Sequence, residues 1–183
     1  MNPTELLKLI GRRQSVRAYA DQPVEKEKLM RCIEAARLAP SACNAQPWKF
    51  IIIDDPVIKN AIADLTSSKL LSMNHFTKQA PVHIAVVREK ANLTSNLGQV
   101  LKDKEYPLID IGIAVAQFCL QATAEGLGTC IMGWFKEKQV KRLLNIPYNK
   151  RLELIITVGY PASDEIRMKV RKETEKILSF NQY

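Results

Sequence analysis

Ala39-Pro40-Ser41-Ala42-Cys43-Asn44-Ala45-Gln46-Pro47-Trp48 joins two unlike patterns. Before it, Leu29, Cys32, Ile33 and Ala36 stand at i, i+3, i+4 and i+7, which predicts a helix over about residues 25–38 that Pro40 ends. After it, Lys49-Phe50-Ile51-Ile52-Ile53 is β-branched and aromatic and predicts a buried strand. The stretch is a helix-to-strand connection with unusual furnishing. Two prolines stiffen it, since each fixes φ and lacks an N–H donor. Between them lie a hydroxyl and amide side chains, neutral donors and acceptors suited to the polar edge of a planar ring. A loop whose polar side chains satisfy its own backbone is the plainer reading, and on this stretch alone both stand.

A second stretch, Arg12-Arg13-Gln14-Ser15-Val16-Arg17, favours a ligand. Arg13, Ser15 and Arg17 alternate, so an extended backbone points them to one side. Guanidinium groups flanking a hydroxyl offer forked donors to a phosphate; a solvated basic turn is the competing reading of so short a motif. Lys169 and Arg171 alternate in the same way near the other end. If the segments meet, Arg13, Arg17, Lys169 and Arg171 surround one small volume, which calls for an anion because like charges repel.

Composition sets wider bounds. The chain has 183 residues, 46% hydrophobic and 25% charged, which suits one soluble globular domain with a sizeable core. A net charge of +8 and a pI of about 9.4 suggest an anionic partner without naming it. Cys32, Cys43, Cys119 and Cys130 form no C-x-x-C pair, and His75 and His83 complete no zinc pattern. A reducing compartment, the cytoplasm, follows, and no basic segment with a trailing apolar run marks a secretory signal.

Outward from the connection, Asn2-Pro3-Thr4-Glu5 is a helix start and Gly11 a stop. Asp54-Asp55-Pro56 caps a third helix with Ile58, Ile62 and Leu65 on one face. Residues 82–87 predict a strand, with His83 a satisfied side chain rather than a ligand or base. Residues 88–106 are charged and polar and read as a mobile loop or lid. Residues 108–127 are apolar enough to raise the question of a membrane span, but Asp110, Gln117, Gln121 and Glu125 argue for a central buried helix. Its small residues suit a subunit interface. Gly126-Leu127-Gly128 ends it, and strands are predicted over 129–132 and 152–158 with a basic helix over 136–144 between them. Residues 173–180 predict a last short helix.

Arg13-Gln14-Ser15-Val16-Arg17, followed about two dozen residues on by the Pro40–Pro47 connection, resembles the N-terminal signature of the nitroreductase family, oxidoreductases that use flavin mononucleotide (FMN). Asp110-Ile111-Gly112 and Glu125-Gly126-Leu127-Gly128-Thr129 resemble the family's central helix and glycine exit. Val158-Gly159-Tyr160-Pro161 with Lys169-Val170-Arg171 resembles its C-terminal phosphate segment. The resemblance spans nearly the whole chain. It implies an α+β nitroreductase-like fold over residues 1–183, a mixed central sheet flanked by helices, and an intertwined homodimer with FMN at the subunit interface.

By the same resemblance Arg13, Ser15 and Arg17 hold the phosphate and ribityl chain, joined by Lys169 and Arg171, with Arg12 one step before the motif. Pro40, Ser41, Ala42 and Asn44 line the isoalloxazine from the partner subunit, and Met132 and Gly133 lie along its other side. Gly133 allows close backbone approach. Many members carry an acidic residue where this chain has Met132, so here backbone rather than a carboxylate would face the ring. Cys43 is read as packing, with redox sensitivity as the alternative, and larger members add flavin contacts around residues 72–78.

The implied chemistry is ping-pong: NADPH or NADH delivers hydride to the flavin and leaves, and a nitroaromatic, quinone or similar small acceptor takes the electrons. The chemistry belongs to the cofactor, so no catalytic acid or base and no metal is expected. Reductive dehalogenation and flavin breakdown occur on similar folds. A non-catalytic flavin-binding protein is a second hypothesis. A nucleic-acid module is a third, with only the charge behind it and no recognised motif; neither nucleic acid nor membrane is expected as a partner.

Overall fold

The computed structural model describes residues 2–67, 73–90 and 104–183. Asn2 opens helix α1 (Pro3–Arg12) as the sequence suggests: its side chain accepts the Thr4 N–H at 3.1 Å, and the Glu5 carboxylate accepts the Asn2 N–H at 3.0 Å. Helix α2 (Lys26–Arg37) leads through a single 3₁₀ turn, Ala42–Asn44, into strand β1 (Trp48–Ile53). Asp55 caps α3 (Pro56–Thr66), accepting the Val57 and Ile58 N–H groups at 3.0 and 2.9 Å. A 3₁₀ turn (His75–Gln79) precedes β2 (Val82–Arg88). Then follow α4 (Tyr106–Ala124), β3 (Gly128–Met132), α5 (Glu137–Leu143) and β4 (Arg151–Gly159).

The strands form one sheet in the order β1-β2-β4-β3, and each neighbouring pair is antiparallel. Ile52, Ile84, Ile156 and Ile131 lie in register across it. Its parallel component is a bridge between Ser15 and Thr129 on the outer edge of β3. Central β2 is buried from Val82 to Val87 because helices cover both faces. On one face Leu29, Cys32 and Ala36 of α2 and Ala114, Phe118 and Ala122 of α4 pack with Ile84, Val86 and Ile156. On the other, Ile62 of α3 and Val140 of α5 pack with Ile53, Val87, Met132 and Ile155. This is the expected α+β class, a sheet flanked by helices.

Helix α4 is long and apolar enough to cross a membrane by length and composition, yet Ile111, Val115, Phe118 and Cys119 lie in the core. Gly126, at φ 78°, turns the chain out of it in the left-handed region that favours glycine. Gly128 is dictated by space, since a Cβ there would sit 2.6 Å from Val16 Cγ2.

The predicted helix over 173–180 is a single 3₁₀ turn, Thr174–Lys176. Ile177, Leu178 and Phe180 are exposed, so no packing of this chain supports more than a turn. Of the expected lid, residues 91–103 lie outside the described residues. Its roots at Arg88 and Glu105 are joined by an ion pair of 3.0 Å. Of residues 72–78, residue 72 lies outside and the rest form the approach to and most of the His75–Gln79 turn.

Candidate active site

After α1 the chain runs extended along β3. The Val16 N–H donates to the Thr129 carbonyl at 2.9 Å, in the space left by Gly128. Tyr19, 6% exposed, fixes this segment from below: its hydroxyl donates to the Val16 carbonyl at 3.0 Å and lies 2.7 Å from Thr157 Oγ1. Burial pushes the Tyr19 phenol well above its ordinary pKa, so it remains protonated. Its backbone N–H donates to Gln79 Oε1 at 3.2 Å. Held this way, Arg13, Ser15 and Arg17 face one side, as alternation on an extended backbone requires.

The chain beyond β4 returns to the same place. The Ala20 N–H donates to the Tyr160 carbonyl at 2.9 Å and the Ala162 N–H to the Ala18 carbonyl at 3.0 Å. Gln14 then clasps the returning segment, with Nε2 donating to the Glu165 carbonyl at 2.7 Å and Oε1 accepting from Arg167 N and Nε at 3.2 and 3.3 Å. Arg167 Nη2 donates to the Ser15 carbonyl. Lys169 Nζ donates to the Ile10 carbonyl at 2.9 Å and to that of Gly11, satisfying the end of α1.

The two segments therefore meet. Arg13, Ser15, Arg17, Arg167, Lys169 and Arg171 line a cavity of about 370 Å³, and no carboxylate lines it. Burial lowers the Lys169 pKa, and the Arg13 and Arg171 guanidinium groups lower it further. Like charge is thus concentrated at one point of the surface. The phosphate fits this donor set: a dianion at neutral pH would find forked guanidinium donors, a hydroxyl and an ammonium together.

Arg12 is placed elsewhere. It is the last residue of α1, out of step with the Arg13–Ser15–Arg17 alternation, and lines a neighbouring cavity with Leu127 and Asp164. Arg167 was not singled out in the sequence, although it continues the alternation of Lys169 and Arg171. Gln14 and Tyr19 were missed because their roles depend on partners about 140 to 150 residues away.

The Pro40–Pro47 connection lies apart from this cavity, whose lining includes none of Pro40, Ser41, Ala42, Asn44, Met132 and Gly133. Part of the plainer reading holds. Ser41 Oγ accepts the Gln46 N–H at 3.0 Å, and Asn44 Oδ1 accepts from Gln46 Nε2 at 3.0 Å. The backbone is unusual all the same: Cys43, Asn44 and Gln46 have φ of 52°, 50° and 46°, a left-handed conformation that costs non-glycine residues free energy and concentrates at functional sites. From α4, Asp110 accepts the Ala42 N–H on both carboxylate oxygens, at 3.1 and 3.2 Å. Cys43 is exposed, whereas Cys32, Cys119 and Cys130 are buried, with the Cys32 thiol pushed up to about 12 chiefly by burial.

Met132 turns its side chain into the core, and Gly133 is exposed with no heavy atom within 4 Å of where a Cβ would be. Nothing in this chain's own packing requires glycine there, unlike at Gly128. The surface over 132–133 is open backbone, as a planar ring resting on it would need.

The family model described as the nitroreductase family matches residues 10–160. A protein of Archaeoglobus fulgidus whose name pairs NADH dehydrogenase with NAD(P)H nitroreductase is 28% identical over 169 residues, covering 88% of each chain. An iodotyrosine deiodinase of Thermotoga neapolitana is 27% identical, covering 97% of this chain and 98% of its own. Among solved structures, a nitroreductase family protein from Clostridium novyi superimposes with a TM-score of 0.75 at 29% identity, over 92% of this chain and 89% of that one. An FMN-dependent nitroreductase from Clostridium difficile gives 0.79 at 26%, over 97% and 99%. With the family model matched over residues 10–160, most of its length, the chain belongs to the nitroreductase family.

Proposed function

We propose that this chain is an FMN-dependent oxidoreductase, a single domain over residues 1–183, that takes electrons from NADPH or NADH and gives them to a small electron-poor acceptor, such as a nitroaromatic or quinone, in successive half-reactions at one site. The observation that carries the reading is the cation cavity, because five side chains of like charge drawn together without a carboxylate call for an anion. Arg13, Arg17, Arg167, Lys169 and Arg171 would hold the FMN phosphate, and Ser15 would add a hydroxyl. Pro40, Ser41, Ala42 and Asn44 of a second copy would line the ring, and the Met132–Gly133 backbone would face its other side. Arg12, facing its own cavity, is left outside this set. When bound, the flavin supplies the two-electron chemistry; the protein binds, orients and screens it, and no side chain acts as acid or base. A homodimer in the cytoplasm completes the proposal.

The test is the visible absorption spectrum of freshly purified protein, followed by anaerobic NADPH and then NADH. Flavin bands that bleach are expected, and the donor that bleaches them faster is the preferred one. A colourless protein that gains no bands when FMN is added would overturn the reading, and bound flavin that neither donor reduces would leave a binding role in place of a reductase. A second reading, reductive dehalogenation, draws on the name of the Thermotoga relative. Iodide release from an iodotyrosine by the reduced protein, with no quinone turnover, would favour it.

A further inference from the structure

We propose that Asp110 is a positioning residue for the flavin-facing connection, gripping it through the Ala42 N–H. This rests on the reading above, in which that connection lines the ring. Asp110 is 4% exposed on α4, between the buried Pro107 and Ile111. It faces no cation among the described residues. Holding a carboxylate in such a place opposes burial, and apolar side chains of similar size would pack there without that cost. Local departures of this kind concentrate where a structure serves a function.

What the carboxylate achieves is visible in its partner. Ala42 begins the 3₁₀ turn, and its N–H points at Asp110 rather than into the connection. The hydrogen bonds that Gln46 donates to Ser41 Oγ and to the Asn44 carbonyl and Oδ1 close the connection on itself. They shape it without fixing it to the body. At its far end the Glu89 N–H holds the Pro47 carbonyl at 3.1 Å, extending the pairing of β1 with β2. Asp110 is the corresponding anchor at the near end. Between these anchors lie Cys43, Asn44 and Gln46, all at positive φ. Such a conformation persists only where its surroundings over-determine it. An acceptor at Asp110 sets the height of the turn over α4, and with it where Ala42 and Asn44 stand relative to a ring bound against them.

The test uses Asp110→Ala, which removes the acceptor, Asp110→Asn, which keeps an oxygen there without charge, and Ala42→Pro, which removes the donor from outside the core. Ser41 already has φ −147° and ψ 154°, a conformation that tolerates a following proline. Hydrogen exchange is measured on flavin-free protein. Amides of residues 42–46 should exchange at least ten-fold faster in Asp110→Ala, and those of residues 44–46 likewise in Ala42→Pro, with Asp110→Asn close to wild type. With FMN added, Asp110→Ala should raise the flavin Kd by about ten-fold and shift the visible bands, and Asp110→Asn should restore both. A merely structural role would lower the melting temperature of Asp110→Ala and leave the bands unmoved. Unchanged exchange in both Ala42→Pro and Asp110→Ala, with unchanged bands in Asp110→Ala, would overturn the proposal. Should Asp110→Ala not fold, unchanged exchange in Ala42→Pro alone overturns it. Wild-type protein that binds no FMN would overturn the functional reading, and the exchange data would still decide whether Asp110 holds the connection.

Discussion

His83 is the residue at which the interior departs most from ordinary polar satisfaction. It has 0% exposure on β2, and its Nε2 lies 3.0 Å from the Thr77 carbonyl. A carbonyl can only accept, so Nε2 carries the proton and Nδ1 is the bare nitrogen, buried with no partner among the described residues. The sequence reading of a satisfied strand histidine is thus correct for one nitrogen. Burial holds its pKa down to about 4, the Thr77 hydrogen bond opposes this, and Lys59 adds to it. The native state keeps the ring neutral where the unfolded chain, titrating near 6.5, takes a proton. The stability this gives is complete above about pH 6.5 and is lost as pH falls toward 4, a total of about 3 kcal/mol. Urea midpoints between pH 7.5 and 5 should fall for wild type and fall less for His83→Gln, which keeps a donor for Thr77 but does not titrate there. Parallel slopes would assign the effect to other groups.

Among the elements, those with strong periodicity were legible. The α2 spacing, the Asp55 cap and the β4 alternation are local, and tertiary packing agrees with them. The last segment was misread because helical composition does not form a helix where no surface covers it. In the site, Arg13, Ser15 and Arg17 could be grouped because spacing of two fixes their side, whereas the clasp by Gln14 and the Asp110 anchor join residues far apart in sequence and left no local signal. That clasp would give the returning C-terminal segment a ligand-dependent hold. Exposed hydrogen bonds secure it, crowded cations oppose them, and residues 171–183 are exposed throughout. An anion in the cavity would relieve the repulsion between Arg13, Lys169 and Arg171. Trypsin cleavage at Arg167, Lys169 and Arg171 should therefore slow at least five-fold with saturating FMN and less with millimolar phosphate. Arg13→Ala/Arg17→Ala should cancel the protection. Equal rates with and without FMN would remove the phosphate from this cavity.

At the scale of the molecule, the chain leaves apolar surface that its own fold does not cover. No residue of α1 is buried, and Leu6, Leu7 and Ile10 are 44%, 69% and 44% exposed. Leu108, Ile109 and Ile113 on α4 and Phe180 in the tail are exposed as well. Apolar surface on this scale favours association, and a two-fold dimer would also explain why the cation cavity and the Pro40–Pro47 connection lie apart in one chain: each site would take its cations from one copy and its connection from the other. That arrangement can be tested by mixing defects. A chain with Arg13→Ala/Arg17→Ala should lose flavin through its cations, and a chain with Ala42→Trp should lose it by filling the space over the connection. If sites are shared, unfolding and refolding the two variants together gives mixed dimers in which one site carries both defects and the other neither. Flavin content should then recover to about a quarter of the wild-type value, the statistical share of intact sites under two-fold pairing. If each site is built within one chain, every site in the mixture keeps one defect and no flavin returns.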